Sequence, residues 1–70
     1  MQEDAPVMFR VCIDIGGTFT DSIVIDDRGR ISEYKVPTTP HDFSEAIINT
    51  LQEAANTYNQ PFKQFVAKLT

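Results

Sequence analysis

The 70-residue sequence predicts an α+β fold: a three-stranded antiparallel meander with a helix packed across it and a partial second helix behind. Three observations lead there. Short segments rich in β-branched and aromatic residues fill the first half, separated only by turn residues. Strands joined so closely pair antiparallel, because a parallel crossover needs a dozen residues or more. From Phe43 onward, apolar residues recur every three or four positions, the period of one helical face.

The elements follow in order. Residues 1–7 read as a flexible leader, acidic at Glu3 and Asp4 and closed by Pro6. Met8-Phe9-Arg10-Val11-Cys12-Ile13-Asp14-Ile15 is a strand whose nearly continuous apolarity predicts burial on both faces, as in a central strand. Gly16-Gly17 breaks it, and a second strand fits residues 22–25. Asp26-Asp27-Arg28-Gly29-Arg30 reads as a solvated turn in which Gly29 takes φ > 0 at no steric cost. The third strand, residues 31–36, alternates imperfectly and belongs near an edge. Pro37-Thr38-Thr39-Pro40 ends it, since two prolines withdraw ladder donors.

Asp42 is the predicted N-cap of a helix over residues 42–58, with Glu45 completing an Asp-x-x-Glu capping box. Phe43, Ile47, Leu51, Ala54 and Tyr58 form its apolar stripe. Asn59-Gln60-Pro61 stops the helix, and Pro61 can open another. Phe62, Phe65, Val66 and Leu69 keep helical spacing up to Thr70. The expected core is Phe9, Val11, Ile13, Ile23, Val24, Ile47, Leu51 and Tyr58. Residues 8–70 thus read as one incomplete domain, with the meander over 8–36 and helices over 42–70. One helical layer covers only one face of a sheet, so further protein is expected against the other. The sequence reads as a piece of a larger assembly.

Composition narrows the function. Six basic against ten acidic residues give a charge of −4, so no nucleic-acid partner is expected. No apolar run approaches the roughly 18–20 residues of a membrane span, and the acidic start lacks a secretory n-region. Cys12 is the single cysteine and His41 the single histidine. Neither a disulfide nor a Cys-rich zinc site can be built from them, and the unpaired thiol points to the cytoplasm. Cys12 is expected to be inert and His41 a surface residue.

The segment with chemical content is Asp14-Ile15-Gly16-Gly17-Thr18-Phe19-Thr20-Asp21. Its glycines permit close backbone approach and φ > 0. Successive N–H groups in such a turn suit phosphate oxygens, and Thr18 and Thr20 add hydroxyls. A carboxylate beside a phosphate suits Mg²⁺. A bland reading stands beside this one: a tight hairpin whose glycines turn and whose threonines pair. Against it, Asp14 ends an apolar strand, where an unpartnered carboxylate would cost several kcal/mol. Gly-Lys-Ser/Thr is absent, so this is no Walker loop. A strand follows rather than a helix, so it is no dinucleotide fingerprint either.

Residues 11–21 resemble the first phosphate loop of the actin, sugar kinase and heat-shock chaperone ATPase superfamily. With Thr18-Phe19-Thr20-Asp21 after the glycines, they are similar in particular to the N-terminus of the hydantoinase A and 5-oxoprolinase family. That family includes ATP-dependent N-methylhydantoinases, oxoprolinases, and acetone and acetophenone carboxylase subunits. Gly29-Arg30-Ile31, Lys35-Val36-Pro37-Thr38-Thr39-Pro40 and the helix opened by Asp42 also fit its pattern. The similarity covers roughly residues 10–51. Sugar kinases share Asp-Ile-Gly-Gly-Thr but typically continue with lysine, where this chain has Phe19.

The resemblance implies the first portion of a ribonuclease H-like, actin-type ATPase domain. It implies Asp14 as the catalytic and magnesium-linked carboxylate, with Gly16, Gly17, Thr18 and Thr20 on nucleotide phosphate. Asp21 either caps the turn or joins a metal or substrate site. The implied cofactors are ATP and Mg²⁺, and the partners are the remainder of the enzyme or other subunits and a small-molecule substrate. The family's next landmark, His-Gly-Thr-Thr, is expected just beyond Thr70, so this chain is expected to hold one wall of an ATP site. Two alternatives remain: a sugar kinase fragment, and a non-catalytic interaction subunit that keeps the hairpin as a fold element.

Overall fold

A computed structural model describes residues 7–70; the predicted leader lies, apart from Val7, outside the described residues. The elements are β1 (Phe9–Ile15), β2 (Phe19–Asp26), β3 (Ile31–Pro37), α1 (Phe43–Thr57) and α2 (Phe62–Ala67). The sheet has the order β1-β2-β3, antiparallel throughout. The predicted meander and helices are therefore present. β2 starts three residues before the predicted position at Ser22, because Thr20 and Asp21 already pair with Ile15 and Asp14.

Register assigns the faces. Ile13 opposes Ser22, and Ser22 opposes Tyr34, so these three share one face. Cys12, Ile23 and Glu33 are aligned in the same way on the other. α1 packs on the first face, against β2 and β3. Thr20, Ser22, Val24 and Asp26, alternate residues of β2, are buried beneath it.

The core gathers Phe9, Val24, Leu51, Ala54, Ala55 and Phe65, with Val11, Ile47, Tyr58, Phe62 and Leu69 packed partly buried against it. The Phe9 ring lies 4.7 Å from Phe65 and 4.7 Å from Tyr58, centroid to centroid. Fully burying a phenylalanine is worth about 1.5–3 kcal/mol, so this trio links β1 to both helices.

Three expectations need correction. Among the described residues β1 lies at one edge of the sheet, with β2 in the middle and α1 over β2 and β3, so the burial on both faces expected of β1 is not supplied by these residues. Ile13 accordingly remains 38% exposed and Ile15 41%. Ile23, on the uncovered face, is 37% exposed, so neither Ile13 nor Ile23 belongs to this core. Second, the capping box does not form as a reciprocal pair. Asp42 caps α1 by accepting from the Ser44 N–H at 3.1 Å, but the Glu45 carboxylate meets His41 Nε2 at 2.8 Å instead. The Ser44 hydroxyl and N–H hold the Asp42 carboxyl below its ordinary pKa. His41 is a surface residue, as predicted.

Third, the last apolar stripe is not one helix. Asn59, at φ 55, takes the left-handed conformation after α1, a common helix terminator. α2 then stops at Ala67. Phe9 donates to the Lys68 carbonyl and accepts from the Thr70 N–H, each at 2.9 Å, which makes a parallel bridge between Phe9 and Leu69. No helix among the described residues is long and apolar enough to cross a membrane.

Candidate functional site

β1 ends by delivering Asp14 and Ile15 to the turn at Gly16, and β2 leaves it from Phe19. The pairing sets Asp14 directly across from Asp21. Both lie on the face that α1 leaves open. There Cys12, Ile23, Glu33 and Lys35 join them around a shallow groove of about 310 Å³. Two carboxylates on adjacent strands match the donor set Mg²⁺ accepts when phosphate supplies the rest. Among the described residues, no group of three or more aspartate, glutamate, histidine or cysteine side chains is placed to hold a metal ion.

The two aspartates differ in surroundings. Lys35 Nζ stands 3.6 Å from Asp21 Oδ1, beyond hydrogen-bond reach but close enough for attraction. That oxygen is secluded and has no hydrogen-bond partner, although the side chain as a whole is 35% exposed. Lys35 also lies over the Phe19 ring, 5.5 Å from its centroid, so Phe19 packs on a neighbour as a hairpin-tip residue. Asp14 is exposed. In this chain its carboxylate is not buried, and the desolvation cost expected from its place in an apolar strand does not arise.

The turn itself is tight. Gly16 N–H donates to the Phe19 carbonyl at 2.9 Å. A Cβ on Gly16 would sit 2.8 Å from that carbonyl oxygen, whereas one on Gly17 would meet nothing within 4 Å. Close approach, not a positive φ, is what requires glycine at position 16. Gly29, at φ 84, is the glycine with positive φ, as its turn predicted. Gly17 and Thr18 are exposed. Among the described residues, their N–H groups donate to no protein acceptor.

Thr38 contacts this turn from the side. Its N–H donates to the Thr18 carbonyl at 2.9 Å, and its hydroxyl donates to the Gly16 carbonyl at 2.7 Å. The Thr20 hydroxyl is 2.9 Å from the Thr38 hydroxyl, and Thr20 is fully buried. Of the residues the sequence assigns to phosphate, Gly16, Gly17 and Thr18 form the exposed turn, and Thr20 lies beneath it. In the sequence Thr38 stands only in the segment that ends β3 and in the family-like Lys35–Pro40 pattern, with no role at the loop. Its signal was the pair of hydroxyls between two prolines, held against the loop by the β2–β3 register.

At the far end of β2, the sequence expectation for Asp26 is overturned. Asp26 is 4% exposed, not part of a solvated turn. Its Oδ1 accepts the N–H groups of Arg28 and Arg30 at 2.9 and 3.0 Å.

The sequence profile of the hydantoinase/oxoprolinase N-terminal region matches residues 10–68. The chain is 41% identical over 59 residues to the caprolactamase subunit alpha of Pseudomonas jessenii, covering 84% of this chain and 8% of that protein. It is 33% identical over 57 residues to the acetophenone carboxylase gamma subunit of Aromatoleum aromaticum, covering 81% of this chain and 8% of that protein. An uncharacterized protein of Methanocaldococcus jannaschii is 45% identical over 47 residues, covering 66% of this chain and 7% of that protein. The chain thus spans less than a tenth of the length of these curated relatives.

Proposed function

The chain belongs to the hydantoinase/oxoprolinase N-terminal region family, and from that premise we propose that it supplies the first phosphate-binding loop of an ATP-dependent enzyme acting on an amide, carbonyl or bicarbonate. The observation that supports this reading is the turn at residues 16–19. It is narrow enough to exclude a Cβ at Gly16, it leaves the Gly17 and Thr18 amides without partners among the described residues, and two facing carboxylates flank it. Oriented amides of this kind favour phosphate oxygens, and they act by stabilising charge during phosphoryl transfer.

When bound, Mg·ATP supplies a transferable phosphoryl group that turns a carbonyl-type oxygen into a leaving group. Asp14 would hold the metal or its waters. Asp21, drawn toward Lys35, would act as the second carboxylate. Gly17 and Thr18 would donate to phosphate, with the Thr18 hydroxyl beside them. Two of the relatives, the caprolactamase and the acetophenone carboxylase proteins, are named as subunits, which supports assembly with other polypeptides, and the uncovered face of the sheet leaves room for them. The proposed compartment is the cytoplasm.

The test uses the complete enzyme with hydantoin, caprolactam, 5-oxoproline, and acetophenone with bicarbonate as candidate substrates, following ADP release. ADP that appears only with Mg²⁺, and in step with turnover of one of these substrates, is the expected result. Substrate turnover that proceeds fully without ATP would contradict the proposal.

A further inference from the structure

We propose that Thr38 is a positioning residue that fixes the direction of the phosphate-binding Gly17 amide. The inference rests on the phosphate-loop reading above and adds a residue from β3's end to it.

A threonine hydroxyl has one proton to donate. The Thr38 proton goes to the Gly16 carbonyl at 2.7 Å. The 2.9 Å contact between the Thr20 and Thr38 hydroxyls must then run from Thr20 as donor to Thr38 as acceptor. The chain of bonds therefore has one direction: Thr20 hydroxyl to Thr38 hydroxyl to Gly16 carbonyl. Thr20 is fully buried, so the donor end of this relay lies away from water. A hydroxyl that accepts one bond while donating another makes a stronger donor.

The consequence follows from peptide geometry. All peptide bonds among the described residues are trans, and a trans peptide sends its N–H opposite to its C=O. With the Gly16 carbonyl held by the Thr38 hydroxyl, the Gly17 N–H must point away from Thr38. With the Thr18 carbonyl held by the Thr38 N–H, the Phe19 N–H must do the same. One residue thus sets two peptide planes of the loop. Glycines at positions 16 and 17 would otherwise leave that segment free to rotate. Thr39 anchors the arrangement: its hydroxyl donates to the Asp42 carbonyl at 2.6 Å and accepts the Ala46 N–H at 3.0 Å, joining the same segment to the first turn of α1.

The experiment compares wild type, Thr38→Val and Thr38→Ser in the complete enzyme. Three measurements are made: the dissociation constant for Mg·ATP, the melting temperature, and the crystal structure without nucleotide. Valine keeps the shape and the backbone N–H but loses the hydroxyl. It should weaken Mg·ATP binding about tenfold to a hundredfold, the range for misdirected hydrogen bonds to a charged group. The melting temperature should move by only a few degrees. The Gly16–Gly17 peptide should rotate or lose a single orientation. Serine restores the donor and should return affinity and loop to wild type. Thr38→Ala gives the same comparison if valine is not accommodated. A Gly16–Gly17 peptide unchanged in the valine variant, or unchanged affinity, would overturn the role of Thr38 alone. Wild-type enzyme that binds no Mg·ATP would overturn the phosphate reading and the ligand named here.

Discussion

The Tyr58 hydroxyl donates a 2.9 Å hydrogen bond to Asp26 Oδ2, tying the end of α1 to the end of β2. Burial works against the Asp26 charge. The N–H groups of Arg30 and Arg28, the Tyr58 hydroxyl and the Arg30 charge outweigh it, holding the carboxyl below its ordinary 3.8. Burial, and then the Asp26 carboxylate, raise the Tyr58 phenol above 10.0.

A carboxyl depressed in the folded state stabilises the fold above its unfolded pKa, and that contribution is lost as pH falls through the lower folded value. The melting temperature of the wild-type chain should therefore drop as pH falls below 3.8. Asp26→Asn should melt lower at neutral pH and show a shallower decline in acid. Tyr58→Phe should lower the melting temperature by a few degrees at neutral pH. Thermal melts across pH check all three; parallel acid profiles for wild type and Asp26→Asn would count against the bond.

How much of this was legible beforehand depends on range. The helix over Phe43–Thr57 and the edge character of β3 carry their own periodicity, and both were readable. The burial of Asp26 was not, because its partner Tyr58 lies 32 residues away and only packing brings it near. The apolarity of β1 exceeds what the described residues bury. Apolar content reports what a strand is built to bury, whereas exposure here reports only what these residues cover. The place of Thr38 against the loop followed from strand register, which the sequence did not specify.

Gly16→Ala should destabilise the fold by about 1–3 kcal/mol, the range for forced contacts in a packed site, because its Cβ would press on the Phe19 carbonyl. Gly17→Ala has open space and no positive φ, so its effect should stay within about 0.5 kcal/mol. Urea titrations of the two variants should separate them; equal losses would argue against the tight turn.

Phe65→Ala removes a fully buried ring in contact with Phe9. Such truncations typically cost about 3–5 kcal/mol, a large part of the stability of a small domain. Loss of the cooperative urea transition is expected. A midpoint near wild type would place the core elsewhere.

Ile13 and Ile15 lie exposed on an edge strand, a surface prone to pair with another chain. The isolated 70-residue chain should self-associate, and Ile13→Lys with Ile15→Lys should reduce this. Sedimentation velocity over a concentration series is the check. A wild-type chain that stays monomeric at every concentration would show that the edge is not sticky.

The central claim, that the loop after β1 serves phosphate chemistry through Asp14, is tested most directly by Asp14→Asn in the complete enzyme, with ATP turnover and thermal melting measured on the same preparation. Asparagine keeps the shape and one acceptor oxygen but loses the charge that would hold Mg²⁺ and its waters. Removing a positioned charged group at such a site typically costs several kcal/mol of transition-state stabilisation. The account predicts turnover reduced about a hundredfold or more, with the melting temperature nearly unchanged, as suits an exposed residue. Turnover and Mg²⁺ dependence equal to wild type would contradict it, and the turn would stand as a structural hairpin.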